Sequence, residues 1–358
     1  MTTIQGLPDP GEGLRLHLNE NTGGCSPQVA AAVRAFDASA LALYPDYKPA
    51  ILETAAHLGI DPDWLMLTNG LDEGILLACI GYLAPRAPTA LVDAGASPVA
   101  PSGQPEVIIV LPAFDSYAIS AKAMGARVVA LPHDSDYEFP LDAVLRAVTP
   151  NTRLIFINTP HNPSGVRVSK AAIRRVAVLA GHALVFIDEA YHDFAGEHFL
   201  DEARQHPNVV IGRTFSKAYG LAGMRIGLLI APPAVLEPMR YVMPVFNLNV
   251  VAIAALRAAL ADRTFMPWYV AQVDESKTLT YAALDRLGLR YWRSAANFVL
   301  IDGGERARSL VDGLYERRIF VRDRTADPHC PNSFRLTTGV VEHTRDAIRA
   351  LEELCGVR

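Results

Sequence analysis

The sequence is punctuated by short apolar runs that stop at a polar cluster. Leu65–Leu67 leads into Thr68-Asn69-Gly70, Leu154–Ile157 into Asn158-Thr159-Pro160, and Leu184–Ile187 into Asp188-Glu189. Such runs of three or four apolar residues without alternation are the pattern of strands covered on both faces, as in a parallel sheet. Further candidate strands are Val107–Leu111, Arg127–Leu131, Val209–Arg213 and Ile226–Ile230. Helical patterns lie between them, for instance Ser169–Ala180 and Ala234–Val242. Strand alternating with helix predicts an α/β chain with a mostly parallel sheet. Sites in such sheets lie beyond the carboxyl ends of the strands, so the three polar clusters are expected in one crevice.

After Asn249 the texture changes. Val250–Leu260 and Trp268–Leu287 read as long helices, followed by Phe298–Ile301, Phe334–Thr337 and a last helix over Glu342–Leu354. That predicts a smaller α+β domain. The expected division is residues 1–40 as an N-terminal arm and part of the small domain, 41–259 as the large domain and 260–358 as the small one. A length of 358 residues, half of them hydrophobic, supplies ample core for this. The Pro85–Pro105 stretch, rich in Pro, Ala, Gly and Ser, reads as an exposed loop.

Chemistry enters with Thr214-Phe215-Ser216-Lys217-Ala218-Tyr219-Gly220-Leu221-Ala222-Gly223-Met224-Arg225. The Lys217 amine can condense with an aldehyde, while Ser216 and Arg225 can hold a phosphate, the arginine through two prongs. Ser-Lys alone would read as an ordinary surface turn. Three other segments change that. Asp188, at a strand end, can pair with a protonated ring nitrogen, and Tyr191 follows on the next turn. Asn162, held before Pro163, can donate to a phenolate oxygen. Gly70, Leu71 and Asp72 open a helix whose free N–H groups suit a phosphate. Each has a simpler reading: an acid capping a helix, a plain Asn-Pro turn, a helix start stabilised by acids. A phosphorylated aromatic aldehyde that uses all four is pyridoxal 5'-phosphate (PLP). His161, without partner histidines, reads as an ordinary loop residue.

Together these segments resemble the fold-type I PLP enzymes, the aspartate-aminotransferase-like superfamily, and within it the histidinol-phosphate aminotransferase subgroup. The match also runs through Leu18-Asn19-Glu20-Asn21, Tyr44-Pro45-Asp46, Pro112-Ala113-Phe114-Asp115-Ser116-Tyr117, Asn297-Phe298 and Phe334-Arg335-Leu336-Thr337-Thr338-Gly339. The resemblance implies that Phe114 stacks on the cofactor ring and that the Leu71 and Asp72 amides hold its phosphate. Tyr44 would reach the phosphate in a neighbouring subunit, which makes a homodimer. Arg335 would bind a carboxylate, with Asn297 beside it and Asn21 on the substrate side. Arg322 would receive a distal phosphate, although a solvated charge cluster explains Phe320-Val321-Arg322-Asp323-Arg324 equally well.

The implied reaction is amino transfer from an amino acid or amino-alcohol phosphate to a 2-oxo acid, with L-histidinol phosphate and 2-oxoglutarate as the pair. An aromatic amino acid aminotransferase and a PLP decarboxylase such as threonine-phosphate decarboxylase stay open. The sequence departs from the subgroup at Thr22, where it usually has proline, and in its short arm, Met1 to Leu14, which contains no tyrosine.

A net charge of −5 favours neither nucleic acid nor an anionic membrane. Some regulators pair this fold with a DNA-binding domain, but no basic helix is visible. No strand is followed by the Gly-x-Gly-x-x-Gly of a dehydrogenase. Cys25, Cys79, Cys330 and Cys355 are scattered, and read as free thiols in a reducing compartment, without a metal. No signal peptide and no apolar run near about 18 residues are present, so a cytoplasmic protein is expected.

Overall fold

The computed structural model describes residues 12–84 and 103–356. The expected arm up to residue 11, and residues 85–102 of the expected loop, lie outside them. The strands are β1 (Leu14–Leu16), β2 (Leu65–Asn69), β3 (Glu106–Leu111), β4 (Arg127–Pro132), β5 (Thr152–Asn158), β6 (Leu184–Asp188), β7 (Val209–Thr214), β8 (Ile226–Ile230), β9 (Arg290–Tyr291), β10 (Phe298–Asp302), β11 (Ile319–Arg324) and β12 (Ser333–Thr337).

Seven of them form one sheet in the order β2-β8-β7-β6-β5-β3-β4. The pairs β3–β4, β3–β5, β5–β6 and β6–β7 are parallel, and β8 runs antiparallel to both neighbours. The central strands are apolar without interruption because both faces are covered. Ile108, Val110, Ile155, Ile157, Val185 and Ile187 enter one core, and Val107, Ile109, Leu154, Phe156, Leu184 and Phe186 the other. The register aligns Asn158 with Asp188 and Asp188 with Gly212, so β5 and β6 end level and β7 runs two residues further.

Helices begin where the sequence supplies caps. The Ser169 hydroxyl accepts from Ala172 N–H at 3.2 Å to start helix Lys170–Leu179, and Asn249 accepts from Ala252 N–H at 2.8 Å to start Val250–Ala261. The next helix, Phe265–Leu287, begins three residues before the expected Trp268 because Pro267 falls in its first turn, where proline is tolerated.

The second sheet has the order β1-β11-β12-β10-β9. Its N-terminal member β1 lies parallel to β11, with Leu16 opposite Val321, and the other pairs are antiparallel. One face carries Leu16, Val299, Ile301, Val321, Phe334 and Leu336 into a separate core closed by helices Ala307–Glu316 and Val341–Leu354. The other face carries Phe320, Arg322 and Arg335. Helix Pro27–Arg34, also from the N-terminal region, places Val29 in a core of the large sheet. Among the described residues no helix is long and apolar enough to cross a membrane, and no group of His, Cys, Asp and Glu could hold a metal ion. All four cysteines are free.

Candidate active site

The ends of β5, β6 and β7 and the start of helix Gly70–Leu83 surround a cavity of about 360 Å³. Leu71, Asp72, Phe114, Asn162, Asp188, Tyr191, Ser216, Lys217 and Arg225 all line it, so the crevice expected from the strand-end clusters exists.

At one end, the helix begins without a side-chain cap from Asn69. The N–H groups of its first turn therefore have no intrahelical or capping partner. Gly70 sits at φ +71°, a conformation L side chains resist, and its N–H donates to the Arg225 carbonyl at 2.8 Å. A Cβ there would overlap Arg225 Nη2 and come within 3.0 Å of its Cζ. The missing side chain is what lets the guanidinium approach the helix start, where it pairs with Asp72 at 2.6 Å. Thr214 Oγ1 and Ser216 Oγ share a hydrogen bond at 2.9 Å, and Ser216 lines the cavity. Open amides, a hydroxyl and a guanidinium around a place that no side chain fills fit a phosphate.

Lys217 is partly buried, and its amine donates to the Leu18 carbonyl at 3.1 Å. Burial, with Arg335 adding to it, lowers the amine to about 8. Asp188 is buried, and burial pushes its carboxyl up to about 6 against the hydrogen bonds it accepts from Tyr117 and from Ala190 N–H. A buried carboxylate held by two donors and short of a cation fits a protonated ring nitrogen. Asn162 Oδ1 accepts from an Arg335 nitrogen, which turns the Asn162 amide so that its NH2 is free for the cavity. Tyr191 receives a hydrogen bond from Asn19 Nδ2 at 2.9 Å, and burial raises its phenol. Phe114 lies on the wall, edge-on to Tyr117.

The remaining expected residues do not line the cavity. Arg335 is one layer behind Asn162, buried, donating also to the His17 carbonyl at 2.9 Å; burial, then Arg324 and Arg322, lowers it to about 9. Arg322 stands opposite Arg335 across β11 and β12. Asn297 is buried and donates to the Asn19 carbonyl at 3.1 Å. Asn21 commits both polar ends to backbone, donating to the Ala218 carbonyl at 3.0 Å and accepting from Gly23 N–H at 2.9 Å, so it clips the N-terminal segment to the loop after Lys217. Tyr44 is 76% exposed and stacks on Phe246 at 3.9 Å, away from the cavity. His161 is buried with both ring nitrogens bonded, to Ser164 and the Pro112 carbonyl.

Sequence reasoning assigned no role to Tyr117, which the first turn of helix Asp115–Ala123 aims at Asp188, nor to Asn158 and Glu20, which line the cavity. Asn158 stops β5 beside Asp188 and could have been found from that strand-end position. The Tyr117 contact spans 71 positions and leaves no local signal.

The family profile described as "Aminotransferase class I and II" matches residues 12–351. A histidinol-phosphate aminotransferase from Anoxybacillus flavithermus is 35% identical over 348 residues, covering 95% of this chain and 88% of the relative. One from Symbiobacterium thermophilum is also 35% identical, covering 96% and 91%. The crystal structure of a histidinol-phosphate aminotransferase from Sinorhizobium meliloti in complex with pyridoxal-5'-phosphate superposes with a TM-score of 0.82 at 27% identity, over 96% of this chain and 91% of that one. An aspartate aminotransferase mutant from Thermus thermophilus, at 23% identity and TM-score 0.77, shares the fold. With a profile match over nearly the whole chain and full-length relatives above the 30% level, this chain belongs to the class I and II aminotransferases.

Proposed function

We propose that this chain is a PLP-dependent transaminase that takes its amino group from L-histidinol phosphate and delivers it to 2-oxoglutarate. The observation that carries the substrate is the pairing of Arg322 with Arg335 on one face of the small sheet, with Arg335 in contact with the cavity wall through Asn162. Two cations on one face suit a donor with a distal phosphate and an acceptor with two carboxylates.

When bound, PLP supplies the electron sink that stabilises the carbanion left by loss of the donor's α-proton. The protein does the rest. Lys217 Nζ would anchor the aldehyde and, when free, take the α-proton; burial that lowers the amine to about 8 raises its neutral fraction near neutral pH above that of an ordinary lysine. Asp188, oriented by Tyr117 and Ala190, keeps a proton on the ring nitrogen. The Leu71 and Asp72 amides, Ser216 and Arg225 hold the phosphate. Asn162 and Tyr191 hold the ring oxygen, and Phe114 covers the ring. Arg335 takes the acceptor's α-carboxylate, with Asn297 fixing the Asn19 backbone beside Tyr191.

Residues 41–259 form the cofactor-binding unit in this reading, joined by helix Pro27–Arg34, and the rest of 1–40 with 260–358 the smaller one. The exposed apolar residues Leu41, Leu43, Tyr44, Tyr241, Val245 and Phe246, with Tyr44 stacked on Phe246, support a homodimer in which Tyr44 serves the partner's site; sedimentation of the PLP form reads this directly. The full-length relatives favour amino transfer from histidinol phosphate over an aromatic amino acid donor or a decarboxylase. The test is a half-reaction screen of the PLP form against histidinol phosphate, glutamate and aromatic amino acids. Arg322→Ala is expected to raise KM for histidinol phosphate selectively. Equal loss with unphosphorylated donors removes Arg322 from phosphate binding and with it the main support for this donor.

A further inference from the structure

His17 is a buried polar residue on this face with no task in the reaction described above. It follows β1 directly. In the parallel pairing of β1 with β11, Leu16 and Val321 point together into the small core, so Arg15 and Phe320 lie on the opposite face. His17, the next residue, returns to that face, with its ring edge-on to Phe320 at 6.4 Å between centroids. Arg322 follows Phe320 by two positions on β11, and Arg335 faces Arg322 from β12. The His17 carbonyl holds Arg335 Nη2 at 2.9 Å. His17 and the two arginines thus share one patch, which meets the cavity wall through the Arg335 bond to Asn162.

The side chain itself is unsatisfied. His17 is only 7% exposed, yet neither Nδ1 nor Nε2 has a hydrogen-bond partner. Arg335 Nε, in the same patch, is also buried without an acceptor. Buried polar atoms are nearly always paired, and His161 in this same chain shows a buried histidine with both nitrogens bonded. Unmet donors gathered between cations describe a place prepared for an anion that brings its own acceptor oxygens. Burial and then Arg15 hold the His17 imidazole below its ordinary value, with Arg322 and Arg335 adding and Glu20 opposing; neutral or charged, the ring has an N–H to donate.

We propose that His17 is a specificity residue that donates a hydrogen bond to the distal phosphate of the amino donor, alongside Arg322. The assignment rests on the phosphorylated-donor reading above, but its test does not depend on it.

The PLP-loaded enzyme is assayed in the glutamate half-reaction with inorganic phosphate as competitive inhibitor, and separately with histidinol phosphate, for wild type, His17→Leu and His17→Asn. The leucine loses the donor and the asparagine keeps one. His17→Leu is expected to raise the phosphate inhibition constant, and KM for histidinol phosphate, by roughly tenfold or more, the worth of one hydrogen bond to a charged group. The effect falls on these constants more than on kcat, and His17→Asn recovers most of it. If His17→Leu does not fold, His17→Phe takes its place. An unchanged inhibition constant, a failure of phosphate to inhibit wild type, or a loss confined to kcat overturns the proposal. Wild type that ignores histidinol phosphate, while its phosphate inhibition still depends on His17, removes the donor assignment and leaves the anion contact standing.

Discussion

Gly70→Ala is the smallest perturbation that reaches the cofactor cradle. Alanine at φ +71° costs about 1–2 kcal/mol for the left-handed backbone alone. Its Cβ would lie 3.0 Å from Arg225 Cζ and overlap Nη2, so the guanidinium must swing away. That breaks the ion pair with Asp72, but both partners are nearly half exposed, at 45% and 48%, and solvent screening limits the pair to about 1 kcal/mol or less. The fold therefore loses only about 1–3 kcal/mol. The cofactor loses more in proportion, because a displaced Arg225 no longer reaches its phosphate. One hydrogen bond to a charged group is worth about 1.5–3 kcal/mol, which weakens PLP binding roughly 10- to 100-fold. Titration of apoprotein with PLP, followed by the visible spectrum, reads the affinity, and thermal denaturation of the apoprotein reads the stability. The decisive measurement is the double variant with Arg225→Ala. If glycine acts by making room for the arginine, the double variant binds PLP about as well as Arg225→Ala alone. Additive losses, or a Gly70→Ala affinity equal to wild type, would refute the close-approach argument.

Two further outcomes follow from the same geometry. Asp188→Asn keeps the size of the side chain and removes the anion, and should cost about 2–4 kcal/mol of transition-state stabilisation, read from kcat/KM in the glutamate half-reaction; near-normal turnover would remove Asp188 from the role of ring partner. Because the neutral amine is the nucleophile and burial lowers Lys217 to about 8, the rate of PLP capture by apoprotein should rise with pH to a midpoint near 8 instead of the usual lysine range, and Lys217→Ala should bind PLP without reducible attachment.

The large sheet was legible because its strands are covered on both faces, which writes each of them as an uninterrupted apolar run. Cavity-lining residues were legible for a related reason: Asp188 and Asn162 follow such runs, and Lys217 stands between Ser216 and Arg225. The small sheet was legible only in β10 and β12. Its β11 carries Arg322, Asp323 and Arg324, and a strand that presents one face to a charged crevice shows no apolar run. The three residues of β1 carry no pattern of their own; only Val321, more than 300 positions away, gives Leu16 its place. The same limit hid Tyr117 and His17. Each acts on a group that the chain reaches from a distant segment, and a hydrogen bond across such a separation has no period to detect.

That β1 is fixed by β11 has a consequence for the order of assembly. The segment running from β1 supplies the Leu18 carbonyl to Lys217, Asn19 to Tyr191 and Asn21 to the Ala218 backbone. One wall of the catalytic cavity is therefore made by residues that stay without their partner strand until Ile319–Val321 exist. On a ribosome, the large sheet can close while the cavity is still open on that side. Contacts between the two ends of a chain are the slowest to form, because the whole intervening loop must be ordered first. Competence for the cofactor is thus a late event in the life of each molecule, and a chain truncated before β11 would keep its principal core and lack a site.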